Sequence, residues 1–249
     1  MTATSASVPL VLEQDRPEKR SSTTITLTPF DRRHYQKLIE ARGETIRRVV
    51  TQVKPALELA NALDVGCGIG FFSQILYECG LYTRGFDGRM ENVVEARKRF
   101  PRIAFAQGDI ADPDIVRCGK FDLVLCFGLL YHLENPMLAV RHLRALTGKG
   151  LLLESMCIPG DEAGMMLHDE PSQQEQRRTD TALYPSERCL VKMLYCAGFA
   201  NVYHVAGLPD HDDFRETPAH ARWSTILFAS ADPIAMADLE RVLCWLPSE

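Results

Sequence analysis

The stretch Ala62-Leu-Asp-Val-Gly-Cys-Gly-Ile-Gly-Phe-Phe72, "ALDVGCGIGFF", decides the fold. A short apolar run breaks into three glycines at alternate positions, Gly66, Gly68 and Gly70. A run of this length bounded by glycine reads as a buried strand, and the residues after it take helical spacing. The glycines therefore form a strand-to-helix turn. Glycine is placed where the backbone takes positive φ or another group comes close. In an open α/β sheet the first such turn lies at the carboxyl ends of the strands, where ligands bind.

Outward from this turn the chain keeps alternating in type. Apolar strands are expected at 62–66, 82–87, 103–107, 121–127 and 150–155, with amphipathic helices near 71–79, 91–99, 137–146 and 186–196. Near-continuous apolar strands separated by helices imply a doubly wound α/β fold, a mostly parallel sheet covered on both faces. Two later strands, 201–206 and 223–229, are joined by a polar loop too short for a helical crossover and are expected to pair antiparallel. A last helical stretch is expected at 233–246. Upstream, Tyr35, Leu38, Ile39, Ile46, Val49, Val50 and Val53 recur at helical spacing, so 31–53 reads as one or two amphipathic helices. Residues 1–28 are rich in Ser, Thr and Pro without a period and read as a mobile arm. The expected organisation is an arm over 1–28, a helical cap over 29–55, a main domain over 56–232 carrying a polar lid insertion at 158–183, and a C-terminal helix in 233–249.

Composition narrows the partners. With 46 % hydrophobic and 24 % charged residues the chain is long enough to bury a substantial core. A net charge of −5 gives no chain-wide basic footprint for nucleic acid, although Arg32, Arg33, Arg42, Arg47 and Arg48 on the first helix form a local one. The bland reading of that run is a solvated helix face. None of the eight cysteines forms a CxxC pair, so they read as small core residues in a reducing compartment. No apolar run reaches the ~18–20 residues of a membrane span, and the N-terminus lacks a signal-peptide core; a cytoplasmic protein without membrane contact is expected.

The glycine spacing is G-x-G-x-G, preceded by Asp64, rather than the G-x-G-x-x-G of a dinucleotide site, since position 71 is Phe. No Gly-Lys-Ser/Thr follows, which excludes a P-loop. Asp64 and Asp87 would repel a pyrophosphate but suit a ligand with an ammonium or sulfonium group. Asp87 ends the second strand, where a carboxylate accepts from ribose hydroxyls, and Asp109 ends the third, within reach of an adenine amino group. Any one of these is equally a helix cap or turn residue. Three at consecutive strand ends around one glycine turn describe an adenosine with a positively charged, zwitterionic tail.

In this order and spacing, "LDVGCGIG", "GFDGR", "GDI" and "FDLVLCFGLLYHLENP" resemble a class I S-adenosylmethionine-dependent methyltransferase. The resemblance implies a seven-stranded sheet with its last strand antiparallel, and S-adenosyl-L-methionine as cofactor. It implies that Asp64, Gly66, Cys67, Gly68 and Gly70 line the methionine end, that Asp87 and Gly88 hold the ribose, and that Asp109 and Ile110 flank the adenine. Phe127 would touch the cofactor from the fourth strand.

The "LYHLENP" stretch, with "ESMCIPGDE" and "YPSERCL…AGF", is similar to the tRNA wobble-uridine carboxymethyltransferases and to many small-molecule methyltransferases. That tRNA family carries an additional N-terminal domain, for which the residues before 60 leave little room. It also places a carboxylate-binding arginine just before the last strand, where Ser224 stands here and Arg222 lies two residues earlier. Ordinary S-adenosylmethionine is therefore expected, with methyl transfer to an oxygen or nitrogen of a small-molecule acceptor. Just past the fourth strand, His132 is a candidate general base or a loop-orienting residue, and Tyr131 a candidate pocket wall. Met165 and Met166 in the lid are expected to face an apolar acceptor, and His34 and Tyr35 to close over the cofactor. His168-Asp169-Glu170 and His211-Asp212-Asp213 read as loop polarity rather than ligands, so no metal is expected. Two alternatives stay open: a tRNA-modifying methyl- or carboxymethyltransferase contacting RNA through the basic first helix, and a non-catalytic S-adenosylmethionine-binding regulator. Salt-dependent RNA binding identifies the first, and binding without turnover the second.

Overall fold

The computed structural model describes residues 28–169, 181–216 and 222–244. In chain order the elements are α1 (Arg33–Ala56), β1 (Asn61–Val65), α2 (Phe71–Glu78), β2 (Tyr82–Asp87), α3 (Met90–Arg99), β3 (Ala104–Gln107), β4 (Phe121–Phe127), α4 (Pro136–Leu146), β5 (Thr147–Met156), β6 (Met165–Asp169), β7 (Thr181–Pro185), α5 (Glu187–Cys196), β8 (Asn201–Val205), β9 (Ser224–Ser230) and β10 (Leu239–Val242). The expected arm over 1–28 lies outside the described residues except for Thr28.

The sheet order is β10-β8-β9-β5-β4-β1-β2-β3. Strands β3, β2, β1, β4 and β5 pair in parallel, and β9 runs antiparallel between β5 and β8. The order reverses between β1 and β4, which opens a crevice at their carboxyl ends. Period-two alternation feeds both faces. Leu63, Val65, Val124 and Cys126 point toward α4 and α5, while Ala62, Leu123, Leu125 and Phe127 point toward α1 and α2. Each buried Leu, Val or Phe among them contributes about 1.5–3 kcal/mol.

Helix α1 is one continuous helix whose Ile46, Val49, Val50 and Val53 are buried at i, i+3, i+4 and i+7. Through these residues it packs on the sheet face formed by Ala62, Leu123, Leu125 and Phe127. Capping fixes two other helices: Asn135 accepts from Leu138 N at 3.0 Å with Pro136 at the first position of α4, and Ser186 accepts from Cys189 N at 3.2 Å at the start of α5.

Three expectations need correction. Among the described residues the sheet has eight strands, not seven, because the stretch read as a helix over 233–246 contains β10 instead. Residues 239–242 pair antiparallel with 202–205, since the edge of β8 offers unpaired backbone groups that a helix would leave unmet. The stretch 158–183, expected as a polar lid insertion, carries strand structure in its described part: β6 and β7 form a separate two-stranded antiparallel sheet reaching Pro185. Met165 and Met166 stand on it exposed to solvent rather than facing a cavity.

Candidate functional site

The crevice opens into a cavity of about 580 Å³ lined by the glycine turn, the ends of β2 and β4, the start of α1 and Tyr184 of β7. Of the sequence-expected residues, Gly66, Cys67, Gly68, Asp87, Gly88, Asp109, Ile110, Phe127, Tyr131 and His132 line it together. Asp64 and Gly70 do not.

The glycines separate into two uses. Gly66 (φ 72°) and Gly68 (φ 52°) face the cavity in left-handed conformations that disfavour side chains. Gly70 (φ 88°) begins α2 from behind the turn, and a Cβ there would stand 2.8 Å from the Phe105 ring. Its missing side chain makes room for the Phe105 and Phe100 rings packed behind the turn. Asp64 is likewise internal. Its carboxylate accepts from Ser73 Oγ of α2 at 2.6 Å, and burial lifts its pKa from 3.8 to about 7, opposed by that bond and reinforced by Asp87. Strand alternation accounts for this placement: Asp64 shares its face with Ala62, toward α2.

Asp87 is held by three donors. Oδ2 accepts from Gly68 N at 3.0 Å; Oδ1 accepts from Arg89 N at 2.9 Å and Asn92 Nδ2 at 3.0 Å. Of roughly four lone-pair sites, three are filled, so two ribose hydroxyl bonds require one of these donors to move. Asp109 accepts from Ala111 N at 2.9 Å, a turn-type bond that leaves it on the cavity rim. A glycine turn with backbone exposed, a fixed carboxylate and the apolar flank of Phe86 and Ile110 fit an adenosyl group with an amino-acid tail. Cys67 is buried and its thiol pKa is pushed well up by that burial, so it stays protonated.

Beyond Phe127 the chain turns through Leu130–His132, carrying Tyr131 and His132 into the cavity with ring centroids 4.2 Å apart. Tyr184 meets Tyr131 edge-on at 5.7 Å, and His168 covers Tyr184 at 4.6 Å. Burial raises the Tyr131 phenol pKa far above its ordinary value, partly offset by Arg42, so it remains a neutral hydroxyl. Tyr35 lines the cavity, whereas the side chain of His34 lies outside what is described. His211 and Asp213 also reach the cavity, where Asp213 N donates to His211 Nδ1 at 3.3 Å. Among the described residues no group of three or more His, Cys, Asp or Glu converges on a metal position; Glu170 lies outside them.

The largest miss is Arg42. Read as part of a basic surface, it is buried, lines the cavity and donates from Nη2 to Glu154 Oε1 at 2.7 Å. Glu154, fully buried on β5, also accepts from Gly128 N at 2.8 Å. The rest of that surface is partly consumed too. Arg48 bonds Asp238 and the carbonyls of Ala206 and Gly207, and Arg47 pairs with Glu78, while Arg32 and Arg33 remain exposed. Phe30, Asn92 and Tyr184 were not singled out either, although Tyr184 sits in the quoted "YPS" stretch.

A family profile described as a methyltransferase domain matches residues 32–204. The chain belongs to that family, and with this fold and turn it is a class I S-adenosylmethionine-dependent methyltransferase. Among curated relatives it is 28 % identical over 166 residues to a tRNA U34 carboxymethyltransferase of Vibrio campbellii, covering 62 % of this chain and 49 % of that one. A tRNA U34 carboxymethyltransferase of Mannheimia succiniciproducens is 33 % identical over 164 residues, with 62 % and 49 % covered. The chain thus spans about half the length of the curated relatives it matches. Among solved structures, the N-terminal domain of EvdMO1 with SAH bound aligns with TM-score 0.61 at 20 % identity over 75 % of this chain and 81 % of that one. Magnesium protoporphyrin IX methyltransferase of Synechocystis PCC 6803 with bound SAH aligns with TM-score 0.56 at 20 % identity over 81 % and 88 %. These likenesses establish the fold. Among the described residues no helix is long and apolar enough to cross a membrane.

Proposed function

We propose that this chain transfers a methyl group from S-adenosylmethionine to an oxygen or nitrogen of a small-molecule acceptor. One observation carries the reading: the glycine turn with Asp87 and the ring-lined patch of Tyr131, His132 and Tyr184 share one cavity beneath α1. When bound, the cofactor supplies an electrophilic methyl group on a sulfonium. The chain's part is to hold the turn and Asp87 fixed, to orient an acceptor against Tyr131 and Tyr184, and to exclude water. His132 would take the proton of a hydroxyl or amine acceptor, an effect worth about 10²–10⁴-fold.

The likeness to tRNA carboxymethyltransferases favours a second reading, a tRNA-modifying enzyme. Three features weigh against it. Arg42 is buried and paired, Arg48 is spent on Asp238 and the carbonyls of Ala206 and Gly207, and Arg47 forms a surface pair with Glu78. Arg222, nearest the position of the family's carboxylate-binding arginine, bonds Glu187 of α5 and does not line the cavity. Burial would raise the Glu187 pKa, but bonds from His204 and Thr225 and the charge of Arg222 outweigh it and bring it to about 2. That anchorage leaves Arg222 committed.

Calorimetric titration with S-adenosylmethionine, S-adenosylhomocysteine and carboxy-S-adenosylmethionine tests the cofactor half. Tight binding of the first two without preference for the third is expected. Preference for the carboxylated form, joined by tRNA binding that weakens steeply with salt, would transfer the reading to RNA. Binding without turnover across an acceptor panel would leave a regulator.

A further inference from the structure

The geometry points to Phe30 as a cofactor clamp, held over the Gly66–Gly68 turn by a latch between Asp31 and Arg99. Phe30 belongs to the short turn preceding α1 and forms part of the cavity wall. Its ring packs directly over the turn: a Cβ placed on Gly68 would lie 3.1 Å from Phe30 Cζ. The cavity persists beside this ring, so Phe30 walls the space and does not fill it.

A single aromatic at the start of a helix would not hold this position unaided, because chain ends with few buried contacts open readily. Asp31 supplies the anchor. Its two carboxylate oxygens accept from Arg99 Nη1 and Nη2, each at 2.8 Å, in the paired geometry that makes such contacts strong. Thr28 donates to Asp31 Oδ2 from both its backbone N, at 2.8 Å, and its hydroxyl, at 2.9 Å. Arg99 is braced in turn by Glu95 at 2.9 Å, and its guanidinium lies over the ring of Phe71, itself a cavity residue, at 5.6 Å. The side chains of Asp31 and Arg99 are 13 % and 8 % exposed, which protects the pair from solvent. The segment before α1, the end of α3 and the start of α2 thus close around the turn. A ligand seated on Gly66 and Gly68 leaves only when this closure opens, so the latch sets the residence time of cofactor and product.

This inference rests on the cofactor reading of the cavity and not on the acceptor. The test is the association and dissociation of S-adenosylhomocysteine on immobilised full-length protein, for wild type, Phe30→Ala, Phe30→Leu, Asp31→Asn and the Phe30→Ala/Asp31→Asn pair, with Asp87→Ala alongside. Phe30→Ala and Asp31→Asn are each expected to speed dissociation roughly tenfold and to weaken Kd. Phe30→Leu should recover most of the slow release, and the double variant should be no worse than Phe30→Ala, because the latch acts through the ring. Unchanged dissociation in both single variants, with binding abolished in Asp87→Ala, overturns the clamp alone. Tighter Kd in Phe30→Ala would make the ring a plug and overturn it as well. Wild-type binding by Asp87→Ala would remove the cofactor from this cavity and take both readings with it.

Discussion

Arg42 of α1 and Glu154 of β5, 112 residues apart in sequence, meet at 2.7 Å with both side chains withdrawn from solvent. Glu154 spends its other oxygen on Gly128 N, in the turn that leads from β4 to Tyr131 and His132. One carboxylate therefore joins the cap helix to the loop carrying the candidate acceptor residues. Removing one partner strands a buried charge, so Arg42→Ala and Glu154→Ala should each cost about 3–5 kcal/mol in urea unfolding. Replacing both by apolar residues, as in Arg42→Met/Glu154→Leu, should cost much less than the sum of the singles. An additive double variant would mean that the two side chains do not stabilise the fold through each other.

The divided use of the glycines gives a second test. Gly70→Ala places a methyl group against Phe105 in a left-handed conformation, which should cost about 1–3 kcal/mol of stability while leaving cofactor affinity intact in the folded protein. Gly68→Ala, with its Cβ turned to the cavity and Phe30, should weaken cofactor binding. Thermal unfolding and calorimetry on both variants check the pair. Equal losses of affinity would return Gly70 to the ligand side.

Asp64 predicts a pH dependence whose sign is unusual for a carboxylate. Its folded pKa of about 7 stands above the ordinary 3.8, so the folded chain binds the extra proton between those values. Stability from this group is complete below pH 3.8, falls as pH rises, and levels off above about 7. Integrated, the fall is of order 4 kcal/mol. Asp64→Asn keeps an acceptor for Ser73 and removes the ionisation. Its stability relative to wild type should therefore rise between pH 4 and pH 8, measured by urea midpoints across that range. A flat difference would mean that the carboxylate is ordinary.

What the sequence made legible follows physical range. Strand and helix alternation is a local signal, so the fold was readable, and the glycine turn with Asp87 and Asp109 at successive strand ends was enough to bring Gly66, Gly68, Asp87 and Asp109 onto one cavity wall. Arg42 was misread because its amphipathic helix looked polar on that face, and its partner Glu154 lies inside an apolar run that gave no sign of a cation opposite. Asp64 was assigned to the ligand by motif, although alternation with Leu63 and Val65 already turned it toward α2. Helical spacing over 233–246 lost to the open edge of β8, a tertiary fact absent from that segment. Phe30 sat at the border of a stretch without periodicity, where nothing local marks a side chain that packs over a turn 38 residues away.

His132 and Tyr131 stand in contact yet are expected to respond differently. His132→Ala removes the only imidazole of the Leu130–His132 turn without touching the glycine turn, so affinity for S-adenosylhomocysteine should hold. Turnover, once an acceptor is in hand, should drop by about 10²–10⁴-fold. Tyr131→Phe keeps the ring that meets Tyr184 and loses a hydroxyl that burial holds neutral. A pocket wall of that kind affects how the acceptor sits, so its variant should raise KM for the acceptor and leave kcat near wild type. Steady-state kinetics across pH on both variants separates the roles. Unchanged kcat in His132→Ala would remove it as the base and leave it orienting the loop.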